Sequence, residues 1–165
     1  MESVAPKNPD YHELFSLCEG ELDRGRARSV GLQLVCDLLF REVPHYDWFG
    51  FYLAVPSQRM LVLGPYQGEP TDHLRIPYGR GICGQAADRR ETFLVEDVNA
   101  QDNYLSCSIH VKSEIVVPIF RNGEIAGEID IDSHTVGAFG DADRMFLERL
   151  ADLVAPDLPE LDSDR

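Results

Sequence analysis

The amino-acid sequence predicts an α+β fold, with one central antiparallel sheet and helices packed on it. Two observations predict this class. Helical hydrophobic periods occur at the start and near the end of the chain, whereas consecutive segments between them show the two-residue period of β-strands. The chain has 165 residues, of which 44% are hydrophobic, so it is long enough to bury one core. We expect one domain over residues 1–155 and an acidic, frayed tail over residues 156–165.

Two amphipathic helices are expected first. Residues 10–22 carry apolar side chains at helical spacing, and Ser29 is expected to cap a second helix of the same kind. Cys18 and Cys36 lie on the apolar stripes of these two helices. A free cysteine in such a position packs as a small hydrophobic residue, so both are expected in the core.

Strands are expected next, because the period changes to two. Trp48, Gly50 and Tyr52 fall on one face of the first strand and further apolar residues on the other, so both faces are expected to be covered. Aromatic residues so placed are more often core than the wall of a ligand pocket. Residues 60–65 and 74–77 are expected to form the second and third strands.

A glycine-rich stretch, Tyr-Gly-Arg-Gly-Ile-Cys-Gly, surrounds Cys83 and is expected to lead as a flexible loop into a short helix over residues 85–90. Residues 93–95 are expected to form a strand. Residues 96–112 are polar and rich in turns, and so long a loop is uncommon in a compact domain unless it has a function. Cys83 and Cys107 are therefore expected in loops. They are either reactive thiols, with the access that such thiols need, or incidental surface or half-buried thiols.

Two long strands close the sheet. Residues 114–121 and 124–133 are expected to form a hairpin around Asn122 and Gly123, because Asn-Gly is a strong signal for a two-residue turn. A last helix is expected to begin at Asp141 and to present one apolar stripe to the sheet.

The charge and the hydropathy of the chain exclude several classes of function. Acidic residues outnumber basic ones by 29 to 15, giving a formal net charge of −14, and such a surface repels phosphate backbones and anionic lipid. Nucleic acid is therefore not expected as a partner. The start of the chain has no apolar signal segment, and the longest purely apolar run is six residues, so no membrane span is expected. We expect a cytoplasmic protein whose four cysteines are thiols.

Four acidic residues are candidates for chemistry. Glu128, Asp130 and Asp132 lie on one face of the last strand, about 6–7 Å apart, and Glu114 adds a fourth acid across the hairpin. Two interpretations remain open: a solvated sheet face, or a cluster in which one carboxyl keeps its proton near neutral pH and acts as a general acid. The cysteines and histidines are irregularly spaced, without a Cys-x-x-Cys pair, so neither a metal nor another cofactor is expected.

Five segments together resemble one known family. They are Trp-Phe-Gly-Phe-Tyr (48–52), Gly-Pro-Tyr-Gln-Gly (64–68), Arg-Ile-Pro-Tyr-Gly-Arg-Gly-Ile-Cys-Gly (75–84), Ser-Glu-Ile-Val-Val-Pro (113–118) and Gly-Glu-Ile-Asp-Ile-Asp-Ser (127–133). In this order they resemble the free methionine-(R)-sulfoxide reductases, which are single GAF domains, and the similarity covers roughly residues 11–153. The resemblance implies a GAF fold and an enzyme that reduces free methionine sulfoxide.

The resemblance also implies roles for individual residues. Cys107 corresponds to the catalytic nucleophile of the family and Cys83 to a second family cysteine. The residues that bind the sulfoxide and the methyl-thioether end of the substrate correspond to Glu114, Asp130, Asp132, Trp48 and Tyr52. The implied chemistry is thiolate attack on the sulfoxide, a cysteine sulfenic acid, and a disulfide that a thioredoxin-like dithiol reduces.

The sequence departs from the family pattern at two positions. His73 stands where the family commonly has its resolving cysteine, and Ser108 follows the nucleophile where an aspartate is usual. The first departure favours an alternative, a stand-alone GAF module that senses a small ligand without turnover. The acids and the two loop cysteines favour the enzyme. The sequence leaves open whether the protein is a homodimer.

Overall fold

The computed structural model describes residues 9–104 and 110–161. Within them, four α-helices pack on an antiparallel sheet of six strands, which confirms the predicted α+β class. The helices are α1 (Tyr11–Gly25), α2 (Gly31–Glu42), α3 (Gly81–Arg89) and α4 (Asp141–Val154). The strands are β1 (Trp48–Val55), β2 (Met60–Gln67), β3 (Arg75–Pro77), β4 (Phe93–Val95), β5 (Ser113–Arg121) and β6 (Glu124–Ser133). In the described ranges, no helix has both the length and the apolar composition that crossing a bilayer requires.

The sheet order is β3-β2-β1-β6-β5-β4, so β1 and β6 lie at the centre. Alternate side chains of β1 point to opposite faces. Phe49 and Phe51 pack with apolar residues of α1, α2 and α4, whereas Trp48 and Tyr52 pack with residues of α3. We call these two sides the main-core face and the α3 face. Both faces of β1 are covered, as its two apolar faces predict.

Two further local predictions are confirmed. Asn122 and Gly123 have φ angles of 53° and 79°, the left-handed conformation that a two-residue hairpin turn of type I′ requires at both positions. Cys18 and Cys36 are fully buried among the apolar side chains of the main-core face.

The connection between α1 and α2 differs from the prediction. Ser29 has a φ of 56°, and the N-cap position of α2 falls on Val30, which provides no side-chain hydrogen bond. The cause is a close contact between two glycines: a Cβ atom on Gly25 would lie 2.4 Å from the Cα of Gly31. This contact brings α1 and α2 together through a tight turn, and Ser29 adopts the left-handed conformation of that turn instead of capping the helix.

The second half of the glycine-rich stretch, residues 81–84, forms the first turn of α3 and not a flexible loop, and residues 78–80 form a turn before it. The helix begins at Gly81 instead of residue 85. Gly84 packs against the end of β3, where a Cβ atom would lie 2.5 Å from the carbonyl oxygen of Pro77. Glycine is therefore needed for close packing. Cys83 is only 5% exposed as a result, so the predicted access of its thiol is wrong.

The packed body of the protein extends beyond residue 155, into the segment predicted to fray. Leu158 is buried in the main-core face, where it meets Gly127 of β6: a Cβ atom on that glycine would lie 2.7 Å from the leucine side chain. The Arg121 guanidinium donates to the carbonyl oxygens of Ala155, at 3.1 Å, and Leu158, at 2.7 Å. Residues 162–165 of the predicted tail lie outside the described residues.

One buried carboxylate joins three parts of the main-core side. Asp143, in the first turn of α4, accepts hydrogen bonds from the hydroxyls of Tyr11 and Tyr46, the latter at 3.0 Å. His45 Nε2 lies 2.8 Å from the same carboxylate, and the N–H of Gly140 donates to its other oxygen at 3.0 Å. Burial alone raises the pKa of Asp143, but these hydrogen bonds outweigh it and the pKa is lowered.

We predict that Asp143→Ala lowers the free energy of unfolding by about 2–4 kcal/mol, because it removes the acceptor of the buried Tyr46 hydroxyl and of the half-buried Tyr11 hydroxyl. The depressed pKa adds a pH dependence: the stabilisation is present above the unfolded-state pKa of about 3.9 and is lost as the pH falls through the lower folded-state value. Urea unfolding between pH 3 and pH 7 measures both effects. Asp141→Ala, at an exposed position two residues earlier, is the matched control and is expected to cost less than about 1 kcal/mol. Equal losses for the two variants would contradict the role given to Asp143.

Candidate active site

Strand register brings the predicted acidic residues together on the α3 face. Asp132 of β6 pairs with Trp48 of β1 on one side and with Glu114 of β5 on the other. Asp130 and Glu128 follow on the same face of β6, because side chains alternate along a strand. The four acidic residues are between 0% and 4% exposed, so the interpretation as a solvated sheet face is wrong. We call Glu114, Asp130 and Asp132 the acid cluster.

The acid cluster shares protons. Glu114 is hydrogen-bonded to both Asp130 and Asp132. An ionised carboxylate can only accept hydrogen bonds, so a contact between two carboxyls requires a proton on one of them. Burial raises the pKa of Asp132 well above its usual range, and the negative charge of Asp130 raises it further. The cluster therefore retains at least one proton at neutral pH.

The pKa values of the other two buried carboxyls on β6, those of Glu128 and Asp130, are also shifted. Burial raises the pKa of Glu128 well above its usual range, with a further contribution from the charge of Asp130. Burial raises the pKa of Asp130 too, although its hydrogen bonds from Glu114 and Cys83 act in the opposite direction. Among the described residues, both carboxyl oxygens of Glu128 and one each of Asp130 and Asp132 lack a hydrogen-bond partner. Buried polar atoms of this kind are rare and mark places where a ligand or water completes the bonding.

Cys83 contacts the acid cluster from α3. One potential ligand atom from each of Cys83, Glu114 and Asp130 lies within 4.8 Å of the other two. Burial raises the pKa of the Cys83 thiol well above its usual range, and the charges of the nearby carboxylates raise it further. Cys83 is therefore a neutral thiol at neutral pH, and its S–H donates a hydrogen bond to Asp130.

Trp48 and Tyr52 hold the segment between β2 and β3 against the sheet. The indole N–H of Trp48 donates to the carbonyl oxygen of Glu69, and the hydroxyl of Tyr52 donates to that of His73, both at 2.9 Å. The indole also stacks on Tyr66, with ring centroids 5.3 Å apart. Both aromatic side chains therefore face the acid cluster, and both hold the segment between β2 and β3 in place over it.

Two glycines leave room for the Trp48 indole. A Cβ atom on Gly50 would lie 2.4 Å from the ring, and a Cβ atom on Gly68 would lie 2.6 Å from it. Sequence reasoning did not identify these glycines as part of the site. The sequence does carry a signal at Gly50, because a glycine inside a strand often marks a place where another group packs closely against the backbone.

Two small cavities border the acid cluster, each with room for about one water molecule. The first, of about 10 Å³, is lined by Tyr52, His73, Ile76, Arg80, Gly81, Ile82, Cys83, Glu114 and Asp130. The second, of about 20 Å³, is lined by Asp47, Trp48, Glu69, Pro70, Thr71, Val111, Asp132 and His134. Two larger clefts, of about 430 and 470 Å³, border the C-terminal segment away from the cluster. We place the candidate site at the small cavities, because the perturbed carboxyls and the thiol meet there.

Comparison with known proteins identifies the family. Residues 31–156 match the family of GAF domains. Protein YtsP of Bacillus subtilis (strain 168) is 36% identical over 146 residues, which are 88% of this chain and 89% of that protein. A free methionine-R-sulfoxide reductase of Escherichia coli (strain K12) is 41% identical over 113 residues, 68% of this chain and 67% of that protein. The X-ray structure of a free methionine-R-sulfoxide reductase from Neisseria meningitidis, in complex with its substrate, has a TM-score of 0.84, with 32% identity and 96% of both chains covered.

The chain belongs to the free methionine-R-sulfoxide reductase family of GAF domains. This result confirms the GAF fold and the resemblance that the sequence motifs indicate. Six of the seven predicted site residues lie in the described part of the chain, and all six are on the α3 face: Trp48, Tyr52, Cys83, Glu114, Asp130 and Asp132. Their individual roles in this family member stay predictions.

Cys107, the predicted nucleophile, lies outside the described residues, but the chain on both sides of it is anchored at the candidate site. Before it, the side-chain oxygen of Asn103 accepts a hydrogen bond from the N–H of Gly81, at the start of α3. After it, Val111 lines the cavity beside Asp132. The segment that carries the predicted nucleophile of this GAF domain therefore leaves and rejoins the described structure next to the acid cluster.

We predict that Gly50→Ala displaces the Trp48 indole, because the added methyl group overlaps the ring. The chain has a single tryptophan, so its fluorescence reports this position alone. The variant is expected to shift the emission spectrum, to increase quenching by acrylamide, and to cost about 1–3 kcal/mol of stability. Gly20→Ala in α1, where an added Cβ meets nothing within 4 Å, is the control and should leave the emission unchanged. An unchanged emission spectrum in Gly50→Ala would show that the indole does not occupy this position.

Proposed function

We propose that the protein reduces free L-methionine-(R)-sulfoxide to methionine at the acid cluster, with a thiol as the reductant. The similar proteins of Escherichia coli and Neisseria meningitidis bear the name of this activity, which supports the proposal. The observation on this chain that carries it is the joint burial of Glu114, Asp130 and Asp132, with Glu114 hydrogen-bonded to both aspartates. A sulfoxide oxygen only accepts hydrogen bonds, so its binding site must supply donors, and protonated carboxyls are such donors.

In the first step, the thiolate of Cys107 attacks the sulfoxide sulfur. The sulfur–oxygen bond of the substrate breaks, the oxygen passes to the cysteine sulfur and takes one proton from the acid cluster to give a sulfenic acid, and methionine leaves with the electron pair. The acid cluster assists because hydrogen bonds to the sulfoxide oxygen offset the negative charge that develops there.

In the second step, Cys83 acts as the resolving thiol. The two remaining cysteines, Cys18 and Cys36, are buried on the opposite face of the sheet. The Cys83 sulfur attacks the sulfenic sulfur, a Cys83–Cys107 disulfide forms, and the oxygen leaves as water. Asp130 accepts the Cys83 S–H hydrogen bond and is the base that takes this proton, which offsets the raised pKa of the thiol. A thioredoxin-like dithiol then reduces the disulfide.

The charge and the enclosure of the site favour a free amino acid over a residue within a protein. The α-ammonium group of a free amino acid brings a positive charge to an acid-rich site, whereas an internal residue of a polypeptide has none. The acids are at most 4% exposed, and the cavities beside them are no larger than about 20 Å³. A ligand therefore enters only when the covering segments move apart, and their closure leaves no groove for a polypeptide.

Chiral amino-acid analysis tests the proposal. The protein and a dithiol are incubated with a mixture of the two epimers of free L-methionine sulfoxide, and only the R epimer is expected to disappear. Cys107→Ser is expected to lose all turnover with an unchanged circular dichroism spectrum, whereas the matched control Cys36→Ala keeps it. A methionine sulfoxide blocked as the N-acetyl methylamide should not be reduced.

Two outcomes would overturn the proposal. Persistence of both epimers would leave a ligand-sensing GAF module without turnover. Equal rates on the free and the blocked substrate would instead indicate an enzyme that acts on residues within proteins.

A second prediction concerns the acid cluster. Asp130→Asn and Asp132→Asn should each lower turnover by about tenfold to 100-fold, because an amide cannot exchange the proton that assists cleavage of the sulfur–oxygen bond. Glu128→Gln is the matched control: this residue lies on the same strand face and is fully buried, but it is outside the cluster, and less than about a threefold change is expected. Steady-state rates on the R epimer measure the effect. Similar losses of turnover in all three variants would show that these acids have a structural role and do not assist the reaction.

A further inference from the structure

Cys83, Glu114 and Asp130 bring one sulfur and two carboxyl oxygens together inside the sheet. One such atom from each residue lies within 4.8 Å of the other two, and all three residues are buried. In a tetrahedral zinc site, with Zn–S near 2.3 Å and Zn–O near 2.1 Å, the ligand atoms stand about 3.3–3.6 Å apart. Side-chain shifts of about 1 Å are therefore enough to close the three atoms around an ion. We infer that these three residues form a site for a thiophilic divalent cation, with Zn²⁺ as the fitting ion.

An independent observation points to a ligand at this place. Asp130 is 1% exposed, and its Oδ1 atom has no hydrogen-bond partner among the described residues. The same residue lines the cavity of about 10 Å³ together with Cys83 and Glu114. A cation in this cavity takes up the unpartnered oxygen, and three protein ligands leave a fourth position for water, as in zinc sites that keep an open coordination position.

The carboxyls and the thiol of the site favour the binding of a divalent, thiophilic cation. Glu114, Asp130 and Asp132 lie buried together, and a divalent ion replaces the protons that they and the thiol would otherwise hold. Arg80 lines the same cavity, but it is an exposed residue whose guanidinium can turn to solvent. The thiolate ligand selects Zn²⁺ over Mg²⁺ and Ca²⁺, which prefer six or more oxygen ligands.

Occupation of this site blocks the proposed reaction, and this consequence rests on the proposed function. The ion uses two carboxyls of the acid cluster and the resolving thiol, so Zn²⁺ and methionine sulfoxide exclude each other. The protein is then a reductase that free zinc inhibits reversibly, by competition with its substrate, and a chelator restores its activity.

Metal titration of the protein without any sulfoxide tests the site itself. The full chain, freed of metal and reduced with a phosphine under argon, is titrated with Co²⁺ as a spectroscopic probe. We expect one equivalent to bind, with the near-ultraviolet charge-transfer band of a thiolate ligand, and one equivalent of Zn²⁺ to abolish the band. An excess of Mg²⁺ should have no effect.

Variants decide whether the ion sits at the named residues. Cys83→Ser should remove the band and weaken Zn²⁺ binding by about 100-fold, and Asp130→Asn should weaken it by more than about tenfold. Glu128→Gln, on the same face, should bind within about threefold of the wild type and keep the band. Far-ultraviolet circular dichroism checks the fold of each variant.

Two results would overturn the inference: no saturable binding of one equivalent, or a band that persists in Cys83→Ser. The outcome is separate from that of the proposed function. If the protein binds Zn²⁺ but reduces no sulfoxide, the cation site is supported and the proposed reductase function is wrong. If it reduces the R epimer without binding Zn²⁺, the reductase function is supported and the cation site is wrong.

Discussion

The burial of several carboxyls on one face of a sheet is the constraint on which the site depends. Glu114, Asp130 and Asp132 are removed from water, and Glu114 is hydrogen-bonded to both aspartates, so the three cannot all ionise. The covering elements maintain this state. Gly84 lets α3 approach the end of β3 closely, and the indole of Trp48 ties the segment after β2 to the sheet. Without these covers the acids would be solvated, would lose their protons at neutral pH, and would no longer donate hydrogen bonds.

The main-core face of the sheet provides most of the packing that stabilises the fold, and the α3 face carries the candidate active site. The main-core face buries most of the apolar side chains, against α1, α2 and α4, and the Asp143 network ties α1 and α4 to the start of β1. The α3 face carries unpartnered polar atoms, which lower stability. A strongly packed core on one side allows the protein to keep such groups on the other, because only the sum determines whether the chain folds.

The sequence was sufficient for much of the fold and for the acidic part of the site. Two-residue periodicity on β1 and β6 correctly predicts which side chains share a face, because register follows from burial. It cannot show whether the acids are solvated, since the cover over them comes from α3, about 45 residues earlier in the chain. Separation in the sequence also hides the role of Asn103, whose hydrogen-bond partner Gly81 is 22 residues away. The Cys83 thiol is buried, whereas the sequence predicts an accessible one, and the reason is local. A glycine that allows close packing cannot be told from a glycine that provides flexibility by sequence alone.

Infrared spectroscopy of the carboxyl groups shows directly whether the acid cluster holds a proton. A protonated carboxyl has a C=O stretching band that an ionised one lacks. We expect the wild-type protein to show this band at neutral pH. The band should weaken in Asp132→Asn, and it should shift when free L-methionine-(R)-sulfoxide is added to Cys107→Ser. Absence of the band in the wild-type protein at neutral pH would mean that the buried acids are ionised and cannot donate hydrogen bonds to a sulfoxide oxygen.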